Sequence, residues 1–470
     1  DVPTIECEAL VALYESTNGA GWYDSTNWLA TTTVGNWYGI TVSGGHVVDI
    51  YLWGNELIGT LPPELGNLTY LANIDLAVNQ LSGGLPVSLS NLTNLEGLYL
   101  GWNQLSGSLP TWLENLTKLT GIGLDTNQLT GQIPAEIGSL TQLQWLYLYN
   151  NQLTGPIPAE IENLTQLLVL HLAENQLSGP IPTALGSLTN LNELYLYNNL
   201  FTGEIPGWLG SMNQLEGLWL GENQLTGLVP PQLGNLTNLR GLNIGVNQLI
   251  GPIPTELGNL INLEELYLWG NQLTGQIPSD LGDLTKLKIL GLGDNLLTGS
   301  LPARMGDLTS LEILVLDTNQ LSGEIPTEFN TLVNIKEITL YNNQLEGSIP
   351  SELGSLNNLE ILNLGGNQLT GEIPSSLGNL TNLRSLQLWA NQLEGSIPTE
   401  LSSLIYMEEF GLSANQLTGT IPTWLSNMTN LHWLSLNHNQ LTGSIPTELG
   451  SLTQLEGIWL GENQLTGSIP

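Results

Sequence analysis

The chain of 470 residues carries 43 Asp and Glu against 7 Lys and Arg, a formal charge of -36, yet only 11% of its residues are charged and 41% are hydrophobic. That balance excludes a solvated disordered polyanion, which has too little apolar surface to bury, and a single compact domain, because one core rarely serves more than about 250–300 residues. Backbone binding to nucleic acid and docking on an anionic membrane both need clustered Lys and Arg. No run of about 18 apolar residues is available to insert into a bilayer. One cysteine, Cys7, precludes an internal disulfide, and with four scattered His it supplies no four-ligand zinc set. Cys7 reads as a small buried apolar residue.

In chain order, residues 1–50 are aperiodic and form an N-terminal cap. Glu8 to Tyr14 places apolar residues at helical spacing, and Ser16-Thr17-Asn18-Gly19 supplies an end signal. Trp22, Trp28 and Trp37 are expected to plug the first open coil.

From residue 51 to 470 the sequence is periodic. Asn recurs at 55, 79, 103 and every 24 residues thereafter to 463, eighteen times without a slip. Gly follows four residues later and Pro seven residues later each time (Gly59 to Gly467, Pro62 to Pro470). The unit reads L-x-x-L-x-L-x-x-N-Q-L-T-G-x-I-P-x-x-L-G-x-L-T-x, as in Leu143 through Gln166. The L-x-L segment alternates as a strand with one buried face does. The Asn stands where the chain turns away, placed to bond backbone groups of its own and neighbouring coils. Gly allows a backbone angle that a Cβ forbids, and Pro stops a continuous helix, so short helices or 3₁₀ turns are expected next. No unit can cover its own apolar flank, so stacking is obligatory.

These motifs resemble the leucine-rich repeat, and the appended T/S-G-x-I-P at a period of 24 resembles its plant-specific subclass, known from receptor-kinase ectodomains and polygalacturonase-inhibiting proteins. The resemblance implies an α/β solenoid: a right-handed superhelix with a parallel sheet on the concave face and short helices or 3₁₀ turns on the convex side. Trp37-Tyr38-Gly39-Ile40-Thr41 is similar to the family's N-cap motif. Asn36 and Val42 stand where plant members carry the flanking cysteines, so the cap looks more like that of microbial secreted relatives. The chain stops at Pro470 half-way through a unit, which leaves no C-terminal cap and would suit self-association there.

In such a fold, the residues six, four, two and one places before each Asn face solvent on the concave side. They hold Tyr51, Trp53, Tyr99, Trp102, Trp145, Tyr147, Tyr149, Tyr195, Tyr197, Trp219, Tyr267, Trp269, Tyr341, Trp389, Trp433 and Trp459, together with His171. They also hold Asp49, Asp75, Asp125, Glu174, Glu193, Glu222, Glu265, Asp294, Asp317, Glu337, Glu409 and Glu462, and no Lys or Arg. Rings interleaved with one sign of charge suit recognition, with aromatic anchors for affinity and acids for selectivity. The same pattern is also what strand propensity and solubility would give. The acidic rim assigned to the site comprises Asp75, Asp125, Glu174, Glu222, Glu265, Asp294 and Asp317.

No catalytic set, metal site or cofactor motif emerges. The seven N-x-[ST] triplets, at Asn67, Asn91, Asn115, Asn163, Asn235, Asn379 and Asn427, read as a turn phrase. Thr or Ser stands three places after most ladder Asn, with Ile58, Ile250, Glu346 and Glu394 as interruptions. The expectation is therefore a non-enzymatic, extracellular, secreted or cell-surface recognition or adhesion module that binds a protein, peptide or glycan on its concave face. A structural or self-assembling fibre, and ice binding through the Thr/Ser ladder, stand as alternatives.

Overall fold

The computed structural model describes residues 1–470, which fall into two compact units, Asp1–Thr226 and Gly227–Pro470. Both are built from the 24-residue coil, and one coil explains the rest. In the strand Trp145–Tyr147, period-two alternation buries Leu146 completely and turns Trp145 and Tyr147 outward. The strand pairs in parallel with its neighbours a full repeat away, Leu146 opposite Ile122 and Leu170. Leu148 is buried, Asn150 takes a left-handed backbone (φ 52), and Asn151 turns inward.

The Asn151 amide fills the role expected of the ladder. Its Oδ1 accepts the Leu129 N–H at 2.9 Å, and its Nδ2 donates to the carbonyls of Leu124, Leu148 and Tyr149 at 3.0, 3.2 and 3.2 Å. One side chain thus gives the buried Leu129 N–H its partner and shares three carbonyls with Asn127, Asn175 and the Thr126 N–H, so successive rungs interlock.

The residues after the Asn form more than a plain turn. Gln152–Gly155 is a second short strand, paired in parallel with Gln128–Gly131 and Gln176–Pro180. The alternation Gln-Leu-Thr already carries the period of a strand, with Leu153 buried and Gln152 exposed. Gly155 ends it at φ +77, a conformation costly for any residue with a Cβ. Pro158 then enters a five-residue 3₁₀ helix, Ala159–Asn163, whose Ile161 closes the core.

In the first unit the cap comes first. The helix α1, Thr4–Ser16, starts directly after Pro3 and so is longer than the Glu8–Tyr14 expected, because Pro fixes a backbone angle suited to helix entry. It buries Glu6, Ala9, Leu10 and Leu13. Cys7 is half-buried rather than buried: it lies at the margin of that stripe and is a free thiol. Trp22, Trp28 and Trp37 are buried as expected; Trp22 and Trp28 pack with Tyr14 and each other, and Trp37 packs on Trp28, with ring centroids 4.8–5.9 Å apart. Each indole N–H donates to a backbone carbonyl, of Thr17, Tyr38 and Thr31 respectively. Glu6 ties the helix to the hairpin Ile40–Ser43/His46–Tyr51: one oxygen meets His46 Nδ1 at 2.6 Å and the other accepts the Val47 N–H at 2.8 Å. From that hairpin, parallel three-residue strands run from Asn73–Asp75 to Gly217–Trp219.

The second unit repeats the coil from the strand Gly241–Asn243 to the strand Gly457–Trp459, again with Leu, Ile or Phe at the buried centre as far as Leu434, while Ile458 in the last strand is exposed. Its second strands shorten to Gln344–Leu345 and Thr370–Glu372.

Candidate functional site

The outward positions of the first unit form rows across its strands. One row reads Tyr51, Asp75, Tyr99, Gly123, Tyr147, His171, Tyr195 and Trp219, each residue opposite the next. At its heart the rings are in contact. His171 stacks on Tyr195 at 4.4 Å and 19°, lies 4.2 Å from Tyr149, and has Tyr147 and Tyr197 at 6.4 and 6.0 Å. Tyr195 continues the row to Trp219 at 6.0 Å and 7°. Parallel strands in register place like columns one strand apart, which is why consecutive aromatics in the sequence column become a ladder of faces.

The rings do not stand free. Trp145, Tyr147, Tyr149, Tyr195, Tyr197 and Trp219 are half-buried, lying down along the sheet, and only Tyr51, Trp53 and Trp102 are largely exposed. Glycines make that possible. Tyr99 covers Gly97, Gly121 and Gly123, where a Cβ would strike its ring or hydroxyl, and a Cβ on Gly217 would lie 2.7 Å from the Trp219 indole nitrogen.

Burial sets the charge states. It lowers His171 from 6.5 to about 4, so the ring is neutral at physiological pH, with Nδ1 buried and unbonded. Burial also raises Asp75, Asp125 and Glu193. The Tyr197 hydroxyl donates to Glu174 at 3.3 Å, and burial together with that carboxylate pushes the phenol up to about 12. Tyr195 is raised by burial and then by Glu193. The bond to Glu174 fixes the Tyr197 ring before any ligand arrives. Glu222 of the same unit is exposed.

In the second unit the predicted residues separate into pairs. Tyr267 and Trp269 flank Gly291, with burial and then Glu265 pushing Tyr267 up to about 12. Tyr341 and Trp389 are 6.4 Å apart, with Trp389 over Gly365. Trp433 and Trp459 stack at 5.6 Å over Gly457. Asp294 is exposed and Asp317 is half-buried.

One column escaped the sequence reading. Seven places before each Asn, the second unit carries Arg240, Glu264, Lys288, Glu312, Lys336, Glu360, Arg384, Glu408, His432 and Glu456. The charges alternate coil by coil. Glu264 meets Arg240 at 3.5 Å and Lys288 at 2.6 Å, Lys336 meets Glu312 at 2.7 Å, Arg384 meets Glu360 at 3.8 Å and Glu408 at 2.7 Å, and His432 meets Glu456 at 3.3 Å. The alternation with a step of 24 was the signal that could have found it.

Comparison with known proteins places this geometry. The leucine-rich repeat region profile matches residues 124–251 and 232–469, and a single leucine-rich repeat matches residues 94–116. The ectodomain of the Arabidopsis receptor kinase HAESA, solved with an N-terminally extended IDA peptide hormone, is 32% identical over 99% of this chain and 82% of its own, with a TM-score of 0.86. A leucine-rich-repeat protein of Leptospira interrogans is also 32% identical, over 80% of this chain and 92% of its own, at 0.65. A plant ice-binding protein is 28% identical over 61% of this chain and 92% of its own, at 0.55.

Proposed function

Because the chain belongs to the leucine-rich-repeat family, in its plant-type form, and that fold serves ligand binding rather than catalysis, we propose that it is an extracellular recognition module that holds an extended peptide on the strand face of its first unit. The observation that carries this reading is the continuous ladder Tyr147, His171, Tyr195 and Trp219, with Tyr149 and Tyr197 beside it. Rings already packed against one another lose little entropy on binding, which is what makes Tyr and Trp effective anchors. The likeness to an ectodomain solved with a peptide hormone favours a peptide, and an extracellular setting, over the other partners such a face could take. No helix is long and apolar enough to cross a membrane.

The test is selection of 12-residue peptides from a random display library on the full chain. Tyr195→Ala combined with Trp219→Ala should weaken the selected peptides about 30-fold. Tyr267→Ala combined with Trp269→Ala should leave them within about twofold. Equal binding by the first pair and wild type would remove the reading.

A second reading has one observation in its favour. On the second sheet of the second unit, Ser396, Thr418, Thr420, Thr442 and Ser444 are all exposed, Ser396 bridges to Thr418 and Thr420 bridges to Thr442, with exposed Glu394 at the border. That hydroxyl patch, with the likeness to a plant ice-binding protein, supports an ice-binding face. Thermal hysteresis that disappears with Thr420→Glu is the expected result, and a freezing point without hysteresis would discard it.

A further inference from the structure

Within the first unit, Trp102, Asp125 and Tyr149 occupy successive coils and act together. Their strands are joined in sequence, the Trp102 backbone N–H donating to the Asp125 carbonyl at 2.9 Å and the Thr126 N–H to the Tyr149 carbonyl at 2.8 Å, so the three side chains stand on neighbouring coils. The carboxylate lies folded over Gly101, where a Cβ would sit 2.7 Å from Oδ1, and beside Gly123, where a Cβ would sit 3.6 Å away. It is 9% exposed, while Trp102 beside it is 55% exposed. An acid almost withdrawn from water thus stands between strands that carry an exposed indole and a half-buried phenol.

That acid has no countercharge. The first unit contains a single Lys or Arg, Lys118, whose Nζ is bonded to Asn94 Oδ1 at 2.7 Å among exposed residues that follow the 3₁₀ helices. No outward strand position holds a cation. Removing a carboxylate from water without pairing it is costly, and the cost is relieved when a positive group arrives. The faces of Trp and Tyr add attraction for the same kind of group, and for no anion. Trp102 also stands in the left-handed column at φ 55, where the other coils place Gly, Asn, Thr, Ala, Val, His or an acid. Val78, Thr126 and Val246 share that backbone, so what sets Trp102 apart is the exposed ring it carries.

We propose that Trp102, Asp125 and Tyr149 seat one cationic side chain, Arg or Lys, of the bound peptide. The inference rests on the peptide-binding reading above and names what the peptide must carry. Asp125 supplies the charge, and Trp102 and Tyr149 on the strands to either side supply aromatic surface for the aliphatic stem. Peptides anchored by an acidic residue at this point are refused, since Asp75 and Asp125 both face them.

The experiment uses the full chain and the displayed 12-residue library. Wild-type selections should converge on peptides with one Arg or Lys at a fixed position. Replacing that residue by citrulline or norleucine should weaken binding about tenfold. Asp125→Asn should cost about the same, and the two changes together little more, as coupled partners require. Glu160→Gln, which removes the same charge from an exposed 3₁₀ helix, should leave affinity within about twofold. Trp102→Gly guards against a folding artefact: glycine suits the left-handed backbone, so thermal stability should hold or rise while affinity falls about tenfold. Selected peptides without a basic residue, or a basic residue whose replacement costs the same in Asp125→Asn as in wild type, would overturn the seat and leave peptide binding intact. A library that yields no binder at all would remove peptide binding, and the seat with it.

Discussion

The two units share one coil and use it differently. In the first, twenty acids face a single cation, Lys118, and the aromatic positions fall on consecutive strands, so rings touch rings. In the second, six Lys and Arg are present, four of them in the alternating column beside the strands, and the aromatic positions fall into separate pairs. The lesson is that the architecture is indifferent to what the outward columns hold. Leu, Asn, Gly and Pro fix the coil in both units, and the remaining positions are left to specify a surface.

The largest effect should erase the difference between units. Asn151→Ala in the first and Asn319→Ala in the second each break four hydrogen bonds and strand one buried N–H, of Leu129 and Leu297, while the three carbonyls each keep a donor from a neighbouring coil. Each should cost about 2–4 kcal/mol, equal within error, in chemical denaturation. A large inequality would mean that the ladder is not the common element.

Glycine floors should separate the units. Gly121→Ala drives a Cβ into the Tyr99 hydroxyl and should cost about 1–2 kcal/mol. At Gly291 the nearest atoms to a new Cβ, on Tyr267 and Trp269, are 3.4 and 3.6 Å away, ordinary contact distances. Gly291→Ala should therefore be neutral or stabilising by about 0.5 kcal/mol. Thermal melts of the two variants decide this.

Acid should act on the first unit through His171. Its folded value of about 4 lies below 6.5, so the unfolded chain takes up the proton first and stability falls as pH drops from 6.5 toward 4. With discount for its partial exposure, the loss is on the order of 1–2 kcal/mol. Asp75, Asp125 and Glu193 run the other way: burial raises them, and their penalty is relieved as pH falls through the raised values. Denaturation curves of wild type minus His171→Asn across this range should isolate the first contribution, and a difference independent of pH would contradict the buried neutral ring.

The smallest effect belongs to the second unit. Arg384→Gln removes contacts to Glu360 and Glu408, all roughly half exposed. It should cost under about 1 kcal/mol at low salt and nearly nothing at about 0.5 M salt. Hydrogen exchange at the neighbouring strands would register it.

The sequence makes the coil legible because core positions admit few residues. Leu146, Asn151 and Gly155 sit where only an apolar chain, a two-ended amide and a missing Cβ suffice, so the period exposes them and the strand face at once. The features that were not legible depend on neighbours. The second sheet hides in Gln-Leu-Thr-Gly because the same letters serve as a turn, and only the adjacent coil supplies its hydrogen bonds. The depth of Asp125 depends on Gly101 one coil away, and the half-exposure of Cys7 on where the helix stripe ends. The charge column was readable at a step of 24, but its pairing needed distances.

The reach of Asn151 across to Leu124 and Leu129 has a bearing on how such a chain can change length. Each rung fastens one turn to the turn before it, so excision of 24 residues brings equivalent atoms back into partnership, whereas excision of 23 leaves every later rung facing the wrong carbonyl. Lengthening or shortening is thereby quantised, and a designer could splice whole turns of the aromatic stretch into the other unit without redrawing the scaffold.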